Sequence, residues 1–305
     1  MYTSTRQVTA KGPTMSSSSR HIVIAGAGPA AQALVRRLAG KGPRPQGQRL
    51  FDGTITVLSN RDECPQELLE LAGLPRVSVR FGQAASYIDA EAKAVTTVDG
   101  MEFAYDQLVI ATGSAPLLPP VTGAYCGLSY STIDDAGPIG EAIKDATRVV
   151  GHRPLGILVG TGPAAGQAEA VLRARGVRPV RTTLRPAAVV PSLAGSPLPA
   201  AGILFEDGSS MNGDLVVLAE DRIARTELAL TAGLRIASDG GIAVGRDLAT
   251  SVPGIWAIGD AASCDGLRLG LLLSAESSAM LCAAGILSGA PAAAFGNAED
   301  TREAA

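Results

Sequence analysis

The sequence predicts an α/β fold that contains two copies of a strand–glycine turn–helix unit, and two stretches carry this prediction. Residues 21–38 begin with a short β-branched run, turn at Gly26 and Gly28, and continue with apolar residues at helical spacing. Residues 155–175 repeat this order of elements around the sequence G-T-G-P-A-A-G. Because the same context occurs twice, the pattern is far more specific than one glycine turn alone.

The first glycine turn has the residue types that a dinucleotide-binding turn needs. Gly26 permits a tight turn, and Gly28 lacks a Cβ and so lets a pyrophosphate approach the backbone. Pro29 and Ala30 begin the helix, and Ala31 is small enough for that helix to pack on the strand. The free N–H groups of the first helical turn would then face the phosphates, so two Rossmann-like units are predicted.

Composition and charge limit the classes of protein to consider. The chain has 305 residues, of which 46% are hydrophobic, enough for a sizeable core and for about two domains. A net charge of −3 gives no general attraction to nucleic acid or anionic lipid. No apolar run approaches the roughly 18–20 residues that span a bilayer, and residues 1–19 lack the apolar region of a secretory signal. We therefore expect a cytoplasmic protein.

The cysteines predict neither a metal site nor a dithiol centre. Cys64, Cys126, Cys264 and Cys282 contain no C-x-x-C pair, so a zinc knuckle or a dithiol redox motif is not expected. Reduced cytosolic thiols are the default, and two histidines with scattered cysteines offer no metal cluster.

The end of the second predicted strand departs from the usual dinucleotide pattern. That strand covers residues 54–58, and an acidic residue normally follows to accept hydrogen bonds from the ribose hydroxyls. Here Asn60 and Arg61 follow, while the carboxylates Asp62 and Glu63 come later in the chain. Asn60 can still bond a ribose, but the displaced carboxylates do not favour tight binding.

The remaining elements follow from periodicity and from turn residues. We predict a short helix over Gln66–Ala72, a β-meander over 77–81, 86–88, 94–98 and 101–105, a buried strand over Gln107–Ile110, a strand over Leu155–Val159, a helix over 164–175, strands over 180–184 and 255–258, and a largely helical segment over 267–287.

Three motifs resemble one known family. G-A-G-P-A-A begins at Gly26, L-V-I-A-T-G-S-A-P covers residues 108–116, and T-S-V-P-G-I-W-A-I-G-D covers residues 250–260. Together, and in this order, they are similar to the FAD/NAD(P)-dependent pyridine-nucleotide oxidoreductases. The segment 266–279 is most similar to the corresponding helix in rubredoxin reductases and in the reductase part of assimilatory nitrite reductases.

The resemblance implies two Rossmann-like dinucleotide-binding domains, the second inserted into the first. The FAD-binding domain would comprise residues 20–116 and 245–289, and a reduced NAD(P)-binding-like domain would comprise 117–244. A C-terminal interface domain is expected to be missing. Residues 1–19 and 290–305 are expected to be a disordered leader and tail.

The resemblance also implies the residues that hold FAD. Asn60 would lie near the adenosine ribose, Ala85 would contact adenine, and Asp260 would accept a hydrogen bond from a ribityl hydroxyl; an ordinary turn aspartate is the alternative. A helix beginning near Gly270 would direct its N–H groups at the flavin O2 side. The implied FAD set is Gly26, Gly28, Pro29, Ala30, Ala31, Asn60, Arg61, Ala85, Ala111, Thr112, Gly113, Gly259, Asp260, Gly270 and Leu271.

For the second nucleotide, the resemblance implies a turn formed by Gly160, Gly162 and Ala165. Arg181 and Arg185 lie near the end of the next strand, where an acidic residue would favour NADH. They could instead meet a 2′-phosphate, which predicts NADPH in preference to NADH. A solvated basic face is the equally weighted alternative.

Two departures from the family pattern and one cysteine bear on these expectations. Most β-structure of the second domain is expected to be missing between residues 185 and 202. The glycine-proline-asparagine signature near the nicotinamide fails, because Asp221, Ala224 and Arg225 take those places. Cys64 lies where some relatives keep a flavin-facing thiol, but a buried or incidental cysteine is the preferred interpretation.

The leading hypothesis is therefore an FAD-dependent oxidoreductase that passes electrons between NAD(P)H and a protein carrier or small-molecule acceptor. No catalytic side chain is assigned, because hydride transfer to flavin needs no acid or base. A non-catalytic subunit or binding module is one alternative. A flavin oxidase or tailoring enzyme reduced by its own substrate is another. Nucleic-acid and membrane partners are not expected, and the oligomeric state stays open.

Overall fold

The computed structural model describes residues 20–41, 51–62, 65–117, 121–193, 196, 198–219 and 221–288. The expectations for the leader, the tail, Glu63 and Cys64 fall outside these residues. Within the described ranges, no helix combines the length and apolar character that a membrane crossing requires.

The chain is built from many short strands and six α-helices in the described ranges. The strands are β1 (Arg20–Ala25), β2 (Gly53–Leu58), β3 (Val77–Arg80), β4 (Ala85–Asp89), β5 (Ala94–Thr97), β6 (Glu102–Ala104), β7 (Gln107–Ile110), β8 (Ser114–Pro116), β9 (Leu128–Tyr130), β10 (Leu155–Val159), β11 (Arg178–Thr182), β12 (Pro186–Pro191), β13 (Ala200–Phe205), β14 (Ser210–Asn212), β15 (Leu215–Ala219), β16 (Arg222–Ala224), β17 (Ile242–Ala243), β18 (Ile255–Ala257), β19 (Ala262–Cys264) and β20 (Leu267–Arg268). The helices are α1 (Pro29–Leu38), α2 (Gln66–Ala72), α3 (Ala136–Val150), α4 (Pro163–Ala174), α5 (Glu227–Thr231) and α6 (Ala275–Ser288).

The first sheet is parallel throughout and has the strand order β18-β7-β1-β2-β3. Its central strand β1 contains the β-branched residues 22–24, which are fully buried, as expected for a parallel strand covered on both faces. At the carboxyl edge, Ala25 pairs with Leu58 of β2 and with Ile110 of β7. The turns that follow β1, β2 and β7 therefore meet at this edge, where open α/β sheets bind their ligands.

The second sheet is also parallel, with the order β11-β10-β15-β9. All four of its strands lie between β7 and β18 in the sequence. Val159 pairs with Thr182 of β11, and it pairs with Leu218 of β15 on the other side. This edge is the equivalent of the ligand edge of the first sheet. The α/β fold with parallel sheets that the sequence predicts is confirmed.

The expectation that β-structure is missing after Arg185 is wrong. Strands β12, β13 and β14 form an antiparallel sheet whose Val189, Ile203 and Phe205 pack with Ile157 and Val216 of the second sheet in one core. The segment between residues 186 and 200 is rich in proline and alanine, so its sequence shows no clear strand pattern. Pairing with β13 and packing on the second sheet make it a strand.

The expected helix over residues 267–287 is also wrong at its beginning. Residues 267–268 form β20, Leu269–Leu271 form one turn of 3-10 helix, and α6 begins only at Ala275. The Ser274 hydroxyl caps this start, since it accepts a hydrogen bond from the Ser277 N–H at 3.1 Å. Other predicted boundaries move by about two residues; the strand expected over 180–184 lies over Arg178–Thr182.

Two helical glycines allow a test of the packing between α6 and the first sheet. A Cβ on Gly285 of α6 would lie 2.5 Å from the Trp256 ring of β18, whereas a Cβ on Gly166 of α4 would meet nothing within 4 Å. Gly285→Ala should lower the free energy of unfolding by about 1–3 kcal/mol through overpacking. Gly166→Ala, the matched control, should raise it by about 0.5–1 kcal/mol through helix propensity. Urea denaturation measures both, and equal stabilisation by both variants would contradict this packing.

Candidate cofactor site

The first glycine turn joins β1 to α1 at the carboxyl edge of the first sheet. Gly26 has φ +113°, and a Cβ there would overlap the Ala111 carbonyl oxygen, so the position requires glycine for two reasons. The Gly26 N–H donates to Leu58 O at 2.9 Å. Gly28 precedes the helix, and a Cβ there would meet nothing within 4 Å. The free N–H groups in the first turn of α1 therefore lie beside open space.

A cavity of about 1030 Å³ lies along this edge. Most of the residues that the sequence assigned to FAD line it, although they come from separate parts of the chain. They are Gly26, Gly28, Pro29, Ala30, Asn60, Arg61, Ala85, Ala111, Thr112, Gly113, Gly259, Asp260 and Gly270.

Two of the residues assigned to FAD do not line this cavity. Ala31 is fully buried in the first core, where its small side chain packs beneath the turn. Leu271 is 5% exposed and belongs to the core of the second sheet. Its carbonyl oxygen accepts a hydrogen bond from Gln167 Nε2 at 2.9 Å, so this residue ties the end of the first site to α4.

Asp260 lines the cavity and lies close to two arginines. Its Oδ2 accepts a hydrogen bond from Ser114 Oγ at 2.8 Å and lies 3.7 Å from Arg222 Nε. Its Oδ1 lies 3.7 Å from Arg268 Nε and is buried without a hydrogen-bond partner among the described residues. A Cβ on Gly270 would overlap this oxygen, so glycine is needed there for the carboxylate to fit. The cavity thus contains a fixed acceptor with free capacity.

The structure corrects the expectation that a helix near Gly270 points its N–H groups into the site. Gly270 lies in a single 3-10 turn, and α6 begins five residues later. The Ala275 N–H at that start donates to Asp134 Oδ2 at 2.9 Å. The close approach of Gly270 to Asp260 produces a local turn instead of the first turn of a long helix.

The sequence interpretation missed several polar residues that line the cavity. Arg222 and Arg225 come from the segment that was considered only as a failed nicotinamide signature. Strand β16 pairs antiparallel with β8, which brings this segment back onto the first site. Arg222 Nε donates to Ser114 Oγ at 2.7 Å, and the Thr112 hydroxyl donates to Arg225 O at 2.7 Å. Two arginines within four residues of sequence were the available signal.

Two acidic residues, Asp134 and Asp135, were missed as well, because no element was predicted between residues 121 and 154. Both line the cavity, and Asp135 accepts backbone hydrogen bonds from Ser131 and Thr132 at 2.7 and 2.8 Å. These bonds hold the turn that precedes α3. Only the fold brings this turn beside Gly270.

The second glycine turn has the same backbone path but different surroundings. Gly160 has φ +147°, and a Cβ there would lie 2.6 Å from the Ala219 carbonyl oxygen. A Cβ on Gly162 would overlap the Asp221 carboxylate, whose Oδ2 is 3.4 Å from Thr161 Oγ1. A side chain therefore occupies the space in front of this turn.

The two arginines expected near a 2′-phosphate differ in their contacts. Arg181 donates from Nε to Gly160 O at 3.1 Å, donates from Nη2 to Thr161 O, and lies 3.6 Å from Glu169. Its guanidinium is therefore bound to the turn itself. Arg185 is exposed after the end of β11. Ala165 is fully buried and packs in the second core.

The described ranges contain no disulfide and no candidate metal site. Cys126, Cys264 and Cys282 are free and buried, and no group of three potential metal ligands occurs there. Burial raises the pKa of the Cys282 thiol, and burial together with the nearby Asp265 carboxylate raises that of Cys264. Both thiols are therefore poor nucleophiles at neutral pH.

We predict that iodoacetamide modifies Cys264 and Cys282 at least about tenfold more slowly in the native than in the urea-unfolded protein at pH 8, because a raised pKa lowers the thiolate fraction and burial blocks access. Peptide mass spectrometry measures each cysteine separately, with the unfolded protein as the control. Native modification of Cys282 at the unfolded rate would contradict the structure.

The chain belongs to the family described as pyridine nucleotide-disulphide oxidoreductase, whose sequence profile matches residues 20–182 and 162–289. This agrees with the family that the three motifs resemble.

Similar curated proteins include an electron transfer subunit and two NAD(+) reductases. The chain is 29% identical over 218 residues to an assimilatory nitrate reductase electron transfer subunit of Bacillus subtilis, covering 64% of this chain but only 28% of that protein. It is 29% identical to a nitric oxide reductase FlRd-NAD(+) reductase of Aeromonas hydrophila, covering 83% of this chain and 74% of the relative. It is 28% identical to a rubredoxin-NAD(+) reductase of Pseudomonas putida, covering 66% and 57%.

Solved structures support the fold. A NAD-dependent persulfide reductase from A. fulgidus superposes with a TM-score of 0.53 at 20% identity, covering 88% of this chain and 60% of the other. A putidaredoxin reductase in complex with putidaredoxin has a TM-score of 0.50 at 21% identity, covering 90% and 76%.

Proposed function

We propose that this chain is an FAD-dependent oxidoreductase that passes electrons from NAD(P)H to a protein carrier or small acceptor, with FAD bound in the cavity of the first sheet. Family membership and the reductase names of the relatives support the reaction class. We further propose that the FAD domain comprises residues 20–116 and about 222–289, with the residues between them inserted as the nucleotide domain. The second boundary is set earlier than residue 245, because Leu228, Leu234 and Ile242 pack in the core of the first sheet. The position of the second sheet between β7 and β18 in the sequence supports this division.

A single observation carries the assignment of FAD: the same cavity is lined by a phosphate-type turn and by Asp260, a carboxylate with one oxygen that has no hydrogen-bond partner among the described residues. Gly28 leaves open space before α1, where free N–H groups and the helix dipole favour a pyrophosphate. The buried Asp260 Oδ1 has no hydrogen-bond partner among the described residues, as expected of an acceptor for a ligand hydroxyl. These residues fit FAD.

We assign residues that line the cavity to the successive parts of FAD. Ala85 and Asn60 would contact the adenosine part, and Arg61 adds positive charge beside them. The turn from Gly26 to Ala30 would hold the pyrophosphate. Asp260 would bind the ribityl chain, in a position held by Ser114, Arg222 and Arg268.

When bound, FAD would supply the hydride acceptor and pass electrons on to the acceptor. The chain's own residues would bind and orient the cofactor, and no side chain in the site has to move a proton. Thr112 and Gly113 lie along the same cavity, and Arg225 adds a second positive charge beside them.

NADH is the better supported donor. The preference for NADPH now depends on Arg185, since the Arg181 guanidinium is bound to the carbonyl groups of the glycine turn. Two relatives are named NAD(+) reductases, which favours NADH. A carrier protein is the favoured acceptor, because relatives are named for rubredoxin and nitrate reductase electron transfer. A cytoplasmic location remains part of this proposal.

The proposed function is tested by the visible spectrum of the purified protein, followed by anaerobic addition of NADH or NADPH. Flavin absorbance in the blue region that bleaches with one nucleotide would support the reductase and identify its donor. Absorbance that persists with both would instead support a flavoprotein reduced by another substrate. A colourless protein that takes up no FAD would contradict the proposal.

We predict that Gly28→Ala weakens FAD binding at least about tenfold while the protein still folds, because the added Cβ meets no protein atom but enters the space of the pyrophosphate. Titration of the apoprotein with FAD, followed by flavin fluorescence, gives the affinity. Gly137→Ala is the matched control. A Cβ on Gly137 also meets nothing within 4 Å, but Gly137 lies at the start of α3 and not in the glycine turn. Equal affinities of both variants would count against this site.

A further inference from the structure

The two glycine turns can be compared position by position, because each follows an interior strand of a parallel sheet, β1 in the first and β10 in the second. Gly26 packs against the carbonyl group of Ala111, and Gly160 packs against that of Ala219. The pairing of Ala25 with Ile110 and of Val159 with Leu218 puts both alanines at the same register. Ala219 is therefore the structural equivalent of Ala111, and by sequence Asp221 corresponds to Gly113.

The two units differ at the second residue after each alanine. In the first unit this position is Gly113, and Gly28 has open space in front of it. In the second unit it is Asp221, whose carboxylate a Cβ on Gly162 would overlap. The same carboxylate lies 3.4 Å from Thr161 Oγ1. The negative charge thus occupies the space where a pyrophosphate would approach the second turn.

The residue that would contact the ribose also differs in the second unit, and this difference again disfavours the binding of a dinucleotide. Leu58 and Thr182 are equivalent by register, so the counterpart of Asn60 is Leu184. Leu184 is an exposed apolar side chain and has no hydrogen-bonding group for a ribose hydroxyl. Both contacts that distinguish a dinucleotide site from an ordinary α/β turn are therefore altered in the second unit.

We propose that Asp221 is the residue that sets the affinity of this chain for NAD(P)H: its carboxylate lies in front of Gly162 and opposes the dinucleotide pyrophosphate by charge and by volume. The nucleotide binds only when this side chain leaves the turn. This inference depends on the proposed function in taking NAD(P)H as the ligand of the second unit, and it adds the residue that restricts its access.

The test is calorimetric titration of FAD-saturated protein with NADH and with ADP-ribose, which carries the pyrophosphate but no nicotinamide. We expect Asp221→Gly to tighten the binding of both ligands at least about tenfold, because like charges in contact are strongly unfavourable. Asp221→Asn should give a smaller gain, since it removes the charge but keeps the volume. Nicotinamide mononucleotide, which has no pyrophosphate, should change by less than about twofold.

Asp145→Asn is the control, because it removes one negative charge from an exposed i,i+3 pair with Arg148 on α3. It should leave all affinities unchanged. Equal affinity of wild type and Asp221→Gly for ADP-ribose, whether strong or absent, would overturn the proposal. The flavin content of the wild type is measured separately, and failure of the wild type to bind FAD would contradict the proposed function. Titration of the Asp221 variants with ADP-ribose still tests the second turn, because this ligand needs no flavin.

Discussion

The site depends on one close backbone contact, the approach of each glycine turn to the end of a neighbouring strand. Gly26 lies so near the Ala111 carbonyl oxygen that a Cβ would overlap it, and its N–H bonds Leu58 O on the other side. This contact fixes where α1 begins relative to β2 and β7. It therefore brings the free N–H groups of the helix to the same edge as the loops after both strands, and the cavity is formed there.

A second contact of the same kind joins the far end of the chain to this edge. The Asp260 carboxylate can lie beside Gly270 only because that residue has no Cβ, and Arg268 and Arg222 keep it in position. Ser114 donates to the same carboxylate from β8. One charged side chain therefore connects parts of the chain that are nearly 150 residues apart in sequence, so the shape of the cavity depends on the whole fold.

The features that the sequence predicted well are those whose cause is local. Both glycine turns, β7 and the short helix α2 lie where strand patterns and turn residues indicate, because their own residues determine them. Strand β12 was missed because pairing with β13, not its own proline- and alanine-rich sequence, makes it a strand. The start of α6 was misplaced because the contact of Gly270 with Asp260 interrupts an apolar segment. Tertiary contacts decided these cases.

The signature segment after β15 illustrates the same limit at the level of function. As a motif, this segment shows only that the residues expected near the nicotinamide are missing. The structure shows where the residues that are present lie. Arg222 and Arg225 return to the first cavity through the pairing of β16 with β8. Asp221, at the beginning of the same segment, turns toward Gly162 of the second unit. The two glycine turns are nearly identical in sequence, but they differ in what they can bind. The difference comes from residues at the end of the neighbouring strand, which are not part of the turn sequence.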